Sequence, residues 1–140
     1  MTLSLQQVQD LIRAGLPQAE ESDLRVEQAP SGAIRMRQPY DPKTLRPGGT
    51  LSGPVMMGLA DAAMYAAILA RLGRVEMAVT QNLNINFLSR PQPGELYADA
   101  EIIRLGRRSA VLEVRVYGEH SDDLLAHVTG IYALPVGETS

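Results

Sequence analysis

From Val75 onward, apolar and polar residues alternate with a period of two, the spacing that places successive side chains on opposite faces of a strand. Val79, Leu83, Ile85 and Phe87 fall on one face of the first run, and Thr80, Asn82, Asn84 and Asn86 on the other, which predicts a long strand. A turn over Ser89–Gly94, with Pro91 and Pro93, leads into Leu96, Ala98, Ala100 and Ile102 alternating with Glu95, Tyr97, Asp99 and Glu101. The alternation slips at Ile102-Ile103, a phase change that predicts a β-bulge. Gly106 marks a tight turn. After it, Ala110, Leu112, Val114 and Val116 alternate with Val111, Glu113, Arg115 and Tyr117 as the second arm of a hairpin. A polar loop over Gly118–Asp123 precedes a last strand over Leu124–Leu134.

The first half of the chain reads differently. Leu3, Val8, Leu11, Ile12 and Leu16 recur at roughly helical spacing, with Ser4 or Thr2 as the cap and Gly15-Leu16-Pro17 as the stop. Two short alternating runs, Leu24–Gln28 and Ala33–Gln38, flank Ala29-Pro30-Ser31-Gly32 and predict a hairpin. Pro39–Gly53 is rich in proline and glycine and reads as an ordered loop. From about Pro54 to Leu72 the chain is apolar at nearly every position, which predicts a helix buried on all sides. Ala60, Ala62, Ala63, Ala66 and Ala67 keep it slender enough for a curved sheet to approach closely, and Gly73 sits where a left-handed terminal residue is wanted. The expected architecture is α+β, an antiparallel sheet wrapped around one long central helix. One helix cannot cover so large a sheet, so a second subunit is expected to cover the rest. The asparagine row is either part of such an interface or a solvated face.

With 140 residues the chain has the size of one domain, and 45% hydrophobic against 21% charged residues is the balance of a globular fold. A net charge of −3 and a pI near 5.3 argue against nucleic acid or an anionic membrane surface as a partner. Without cysteine there is no disulfide, thiolate metal site or cysteine nucleophile. Met1–Leu16 carries Gln6, Gln7, Gln9 and Asp10, which does not read as a signal peptide. The longest apolar stretch, Val55–Ala70, is interrupted by Asp61 and is short for a membrane span. A cytoplasmic protein is the expectation.

Asp61 is the only side chain between Met56 and Ala70 that is charged at neutral pH. A carboxylate on such a helix is costly to bury unless hydrogen-bonded or paired, so it is either a catalytic base or nucleophile or half of an ion pair with an arginine such as Arg90 or Arg107. Gly48–Pro54 ends at the helix start, where Pro54 suits the first helical position and Ser52 or Gly53 the cap. The Gly53 N–H then points from the positive end of the helix, where it either polarises a carbonyl or merely caps. Arg90, Arg107 and Arg108 stand at turns, where guanidinium groups either reach phosphates or are simply solvated. His120 and His127 have no partner at metal-ligand spacing, and no metal site is expected.

The run Gly49-Thr50-Leu51-Ser52-Gly53-Pro54-Val55, followed by Leu59-Ala60-Asp61-Ala62-Ala63, resembles the His-Gly-Gly segment and subsequent Asp of PaaI-like hotdog acyl-CoA thioesterases. Ile85-Asn86-Phe87-Leu88, Arg90-Pro91 and Gly94 resemble the strand and turn that follow in that family. The resemblance implies a hotdog fold, a homodimer with active sites at the subunit interface and often a homotetramer, and acyl-CoA as the small-molecule substrate with no separate cofactor. It implies Asp61 as base or nucleophile, the Gly53 amide on the thioester oxygen, and Thr80 assisting water. The chain departs from the pattern at three places: Ser52 stands for the motif histidine, Pro54 for the second glycine and Arg46 for a preceding asparagine. These departures suit a specialised thioesterase or a non-catalytic acyl-CoA or acyl-carrier binding protein, with Ser52 and Arg46 as substrate contacts. A hotdog dehydratase, which uses a histidine with a second acid, ranks last.

Overall fold

Ser4 starts the first helix with a capping box: its hydroxyl accepts from the Gln7 amide, and the Gln7 side chain accepts from the Ser4 amide. This helix, α1, spans Leu5–Gly15. A short second helix, α2 at Pro17–Glu21, follows where a plain stop was expected, because proline suits the first position of a helix as well as the end of one. The computed structural model describes residues 2–40, 45–46, 50–51 and 53–135.

The hairpin of β1, Arg25–Gln28, and β2, Ile34–Gln38, forms as predicted, and its turn is closed by the Ala29 N–H donating to the Ala33 carbonyl at 2.8 Å. The segment read as a loop contains a minimal two-stranded sheet, β3 at Leu45–Arg46 with β4 at Thr50–Leu51. It leads into the central helix α3, Gly53–Leu72. Four antiparallel strands complete the chain: β5, Val79–Phe87; β6, Leu96–Leu105; β7, Ser109–Gly118; and β8, Ser121–Ala133. The six-stranded sheet runs β1-β2-β6-β7-β8-β5, with β5 at one edge. The expected bulge is present as a register shift between Ile102 and Arg104.

The core lies between one side of α3 and the concave face of the sheet, where Met56, Leu59, Met64 and Ile68 meet Met36, Leu96, Leu112, Val114 and Val128. The fit is closest at Gly130. A Cβ there would stand 2.5 Å from the Met64 sulfur, so any other residue would force the Met64 side chain to move. Helix α3 is nevertheless not buried on all sides. Pro54, Met57 and Gly58 are exposed, and Asp61 and Tyr65 are half-buried, because a single sheet wraps only part of its circumference. At 20 residues α3 has the length and hydropathy of a membrane span, more than the Val55–Ala70 stretch suggested, yet most of it is buried within this chain.

The face assignment of β5 needs one correction. Its register slips between Thr80 and Asn82, so the extra residue reverses the phase of the first two positions. Thr80, opposite Tyr132, faces the helix with Leu83 and Ile85, whereas Val79 is 58% exposed. Asn82, Asn84 and Asn86 keep the outer face and are exposed. That outer face is polar across the sheet: Arg35 forks onto Asp99 at 2.7 and 2.9 Å, and His127 Nε2 meets the Glu113 carboxylate at 2.8 Å.

Candidate active site

Asp61 sits two turns into α3, on the side the sheet leaves uncovered. Two hydroxyls converge on one of its oxygens: Thr80 Oγ1 donates to Oδ1 at 2.7 Å and the Tyr132 hydroxyl donates to the same Oδ1 at 2.8 Å. The Tyr132 hydroxyl also lies 3.1 Å from the Asp61 main-chain carbonyl. Among the described residues no cation pairs with Asp61, and Oδ2 has no hydrogen-bond partner. The alternative of an ion pair with Arg90 or Arg107 is therefore set aside by the geometry, and the cost of placing a carboxylate beside apolar surface is offset by neutral donors instead.

The carboxylate opens onto a cleft of about 720 Å³. Its floor is Gly58, Ala62 and Tyr65 of α3, its near wall Thr80 and Tyr132, and its far wall Leu11 and Leu16 from the N-terminal helix. Gly58, Asp61, Ala62 and Tyr65 recur at helical i, i+3, i+4, i+7 spacing, so the small residues at 58 and 62 leave room directly beside the carboxylate. A second concavity of about 620 Å³ lies on the outer face of the sheet. It does not reach Asp61; Arg35 pairs there with Asp99 and Arg115 with Glu113, and Glu101, Glu119 and Asp122 leave the lining acidic.

Residues 48–124 match the model of a protein family described as the thioesterase superfamily, and this stretch covers more than half of the chain. The chain belongs to the thioesterase superfamily. A protein of Halobacterium salinarum provisionally assigned as an esterase is 35% identical over 96 residues, covering 65% of this chain. The match spans 63% of that relative's length. Among solved structures, a provisionally assigned thioesterase of a Silicibacter species superimposes with a TM-score of 0.83 at 33% identity, over 95% of this chain and 92% of that one. A Bacillus halodurans protein crystallised with CoA shares the fold at a TM-score of 0.73 and 24% identity, over 93% and 92% of the two chains. The sheet wrapped around a long helix is the hotdog fold of this superfamily.

Within this superfamily fold, the expected site residues separate into four groups. Asp61 and Thr80 are brought into contact. Gly53, the first residue of α3, lies at the far end of the same helix, about 12 Å from Asp61 along the axis at 1.5 Å per residue. The Phe87 ring covers Gly53 closely enough that a Cβ there would be 3.2 Å from it. Arg90, Arg107 and Arg108 are exposed and none lines the Asp61 cleft. Arg107 and Arg108 occupy the β6–β7 turn, tied to the end of β8 by the Leu134 N–H donating to the Arg108 carbonyl at 2.9 Å, whereas Arg90 follows β5 at its opposite end. Ser52 and the Arg46 side chain lie outside the described residues.

Tyr132 is the site residue the sequence reading missed. It falls on the same face of β8 as Val128 and Gly130, both turned toward α3, and a tyrosine on such a face brings a hydroxyl that needs an acceptor. Asp61 is the only carboxylate on the buried helix, so that pairing was open to inference. Burial, and next the Asp61 charge, push the Tyr132 phenol far above its ordinary ionisation range, so it stays a proton-bearing donor.

Proposed function

We propose that this protein hydrolyses an acyl-CoA thioester to the free acid and CoA, with Asp61 as base or nucleophile. The observation that carries the reading is the Asp61 carboxylate itself. One oxygen is held by two hydroxyls, the other has no partner among the described residues, and the carboxylate borders an open cleft. In the base form of the reaction, Oδ2 takes a proton from water as the water oxygen bonds to the thioester carbon. The carbonyl electrons move to oxygen, the C–S bond then breaks as C=O re-forms, and the departing sulfur recovers the proton from Asp61. In the nucleophilic form, Oδ2 itself displaces the thiolate, and water cleaves the resulting anhydride. Water is the only co-reactant.

The 12 Å separation along α3 prevents one protomer's Gly53 amide from serving the carbonyl that its own Asp61 attacks. A homodimer, with a homotetramer as a further step, resolves this: Gly53 at the positive end of one helix faces Asp61 of the partner subunit. The surface supports such pairing. Edge strand β5 and its flanks expose Met77, Val79, Phe87 and Leu88, and α3 exposes Met57, an apolar patch beside an unpaired strand edge. Arg90 from one copy and Arg107 and Arg108 from the other would then flank one cleft as contacts for CoA phosphates, with Ser52 and Arg46 near the helix start. The CoA carried by the Bacillus halodurans protein supports this ligand class. A cytoplasmic location suits such a substrate.

The test offers a panel of acyl-CoA thioesters to the wild-type protein, with free thiol followed by a chromogenic reagent and binding followed by calorimetry. Steady thiol release on at least one substrate is expected. Tight binding with no thiol release would instead make the protein an acyl-CoA binding module, the reading that the departures at Ser52, Pro54 and Arg46 favour.

A further inference from the structure

Resting on the hydrolytic reading of Asp61, we propose that Tyr132 is a positioning residue: its hydroxyl fixes the Asp61 carboxylate so that Oδ2 alone meets the substrate. A carboxylate on a helix turns about its last torsion unless something holds it. A single donor on Oδ1 restrains that turn weakly, and Thr80 is an exposed donor on an edge strand beside a bulge. Tyr132 is different. It is 3% exposed, its ring stacks on Tyr65 at 6.3 Å with an interplanar angle of 17°, and Tyr65 is itself tied by its hydroxyl to the Glu76 carbonyl at 2.9 Å. The phenol therefore has no freedom to follow a rotating carboxylate.

The contact to the Asp61 main-chain carbonyl at 3.1 Å strengthens the argument, because one hydroxyl then references the side chain to its own backbone. Packing alone does not explain a tyrosine at this position. Phenylalanine would fill the same space without burying a hydroxyl, which costs free energy unless it finds an acceptor. That acceptor is the carboxylate of the site. Tyr132 touches neither substrate nor water in this scheme and acts through Asp61 alone. Both attack modes of Asp61 need the same result, one oxygen immobilised and the other presented.

Tyr132→Phe tests this without changing the volume of the core. Since small misplacements of a reacting group cost about 100-fold, kcat is expected to fall roughly 10- to 100-fold with KM within about twofold of wild type. Thr80→Val combined with Tyr132→Phe is expected to be non-additive, because both donors serve one oxygen. A crystal structure of Tyr132→Phe should show the Asp61 carboxylate turned or in two orientations. An unchanged kcat, or a carboxylate superimposing on its wild-type orientation in that crystal structure, would overturn the proposal. If the wild type releases no thiol from any acyl-CoA, the hydrolytic reading fails on its own, and the orientation in the crystal still decides the role of Tyr132.

Discussion

A tyrosine hydroxyl inside a hydrophobic core and a carboxylate on an apolar helix are each expensive alone, and together they satisfy one another. This pairing has a consequence for stability at high pH. The folded protein holds the Tyr132 proton above its ordinary value of 10.0, while the unfolded chain releases it near that value. The stabilisation is therefore complete below about pH 10 and is lost as pH rises further, by about 1.4 kcal/mol per pH unit for one such proton. Denaturant unfolding between pH 9 and pH 11 should show a steeper loss for wild type than for Tyr132→Phe. Tyr65 and Tyr97, which burial shifts the same way, titrate in both proteins and cancel in the difference. Parallel slopes would contradict the buried phenol. Asp61 was legible in the sequence because a lone charge on an apolar helix demands a reason. Tyr132 was not singled out, because its partner lies 71 residues away and only the sheet register brings them together.

At the scale of elements, the strong periodicities translated directly. The long apolar run became α3, Gly53–Leu72, and the phase slip at Ile102-Ile103 became a bulge in β6. Two failures share one physical cause, a signal with two meanings. Pro17 ends one helix and begins another, and only the second meaning produces α2. In β5 the residues Thr80, Gln81 and Asn82 are all polar, so nothing in that stretch marks the phase of the strand. The bulge between Thr80 and Asn82 was invisible for that reason, and the simple alternation placed Thr80 on the wrong face. The family resemblance named Thr80 as a site residue, and the bulge is the physical device that turns it toward Asp61. The exposed stripe of α3 was likewise hidden, because hydropathy cannot separate a face covered by this chain's sheet from one the sheet leaves open.

At the scale of the whole molecule, the proposed composite site can be tested directly. Gly53 and Asp61 lie at separate points of one helix, so two copies related by a two-fold axis would each lend the other what its own geometry withholds. Two inactive variants then make a sharp prediction. Gly53→Pro removes the amide donor, its ring requiring a small shift of the Phe87 ring, and Asp61→Asn removes the carboxylate. If the site is composite, a mixture allowed to exchange subunits should recover about a quarter of the wild-type rate, since half the dimers are mixed and each of these has one intact site. A site built within one protomer would recover nothing. Beneath every one of these statements lies the claim that the Asp61 carboxylate drives thioester cleavage. Asp61→Asn keeps the shape and can still accept from Thr80 and Tyr132, so the measurement that bears on it most directly is the kcat of this variant on the best acyl-CoA substrate of the wild type. A fall of about 100-fold or more with binding retained is the predicted result, in keeping with the loss of a general base or nucleophile. A variant turning over as fast as wild type would contradict it.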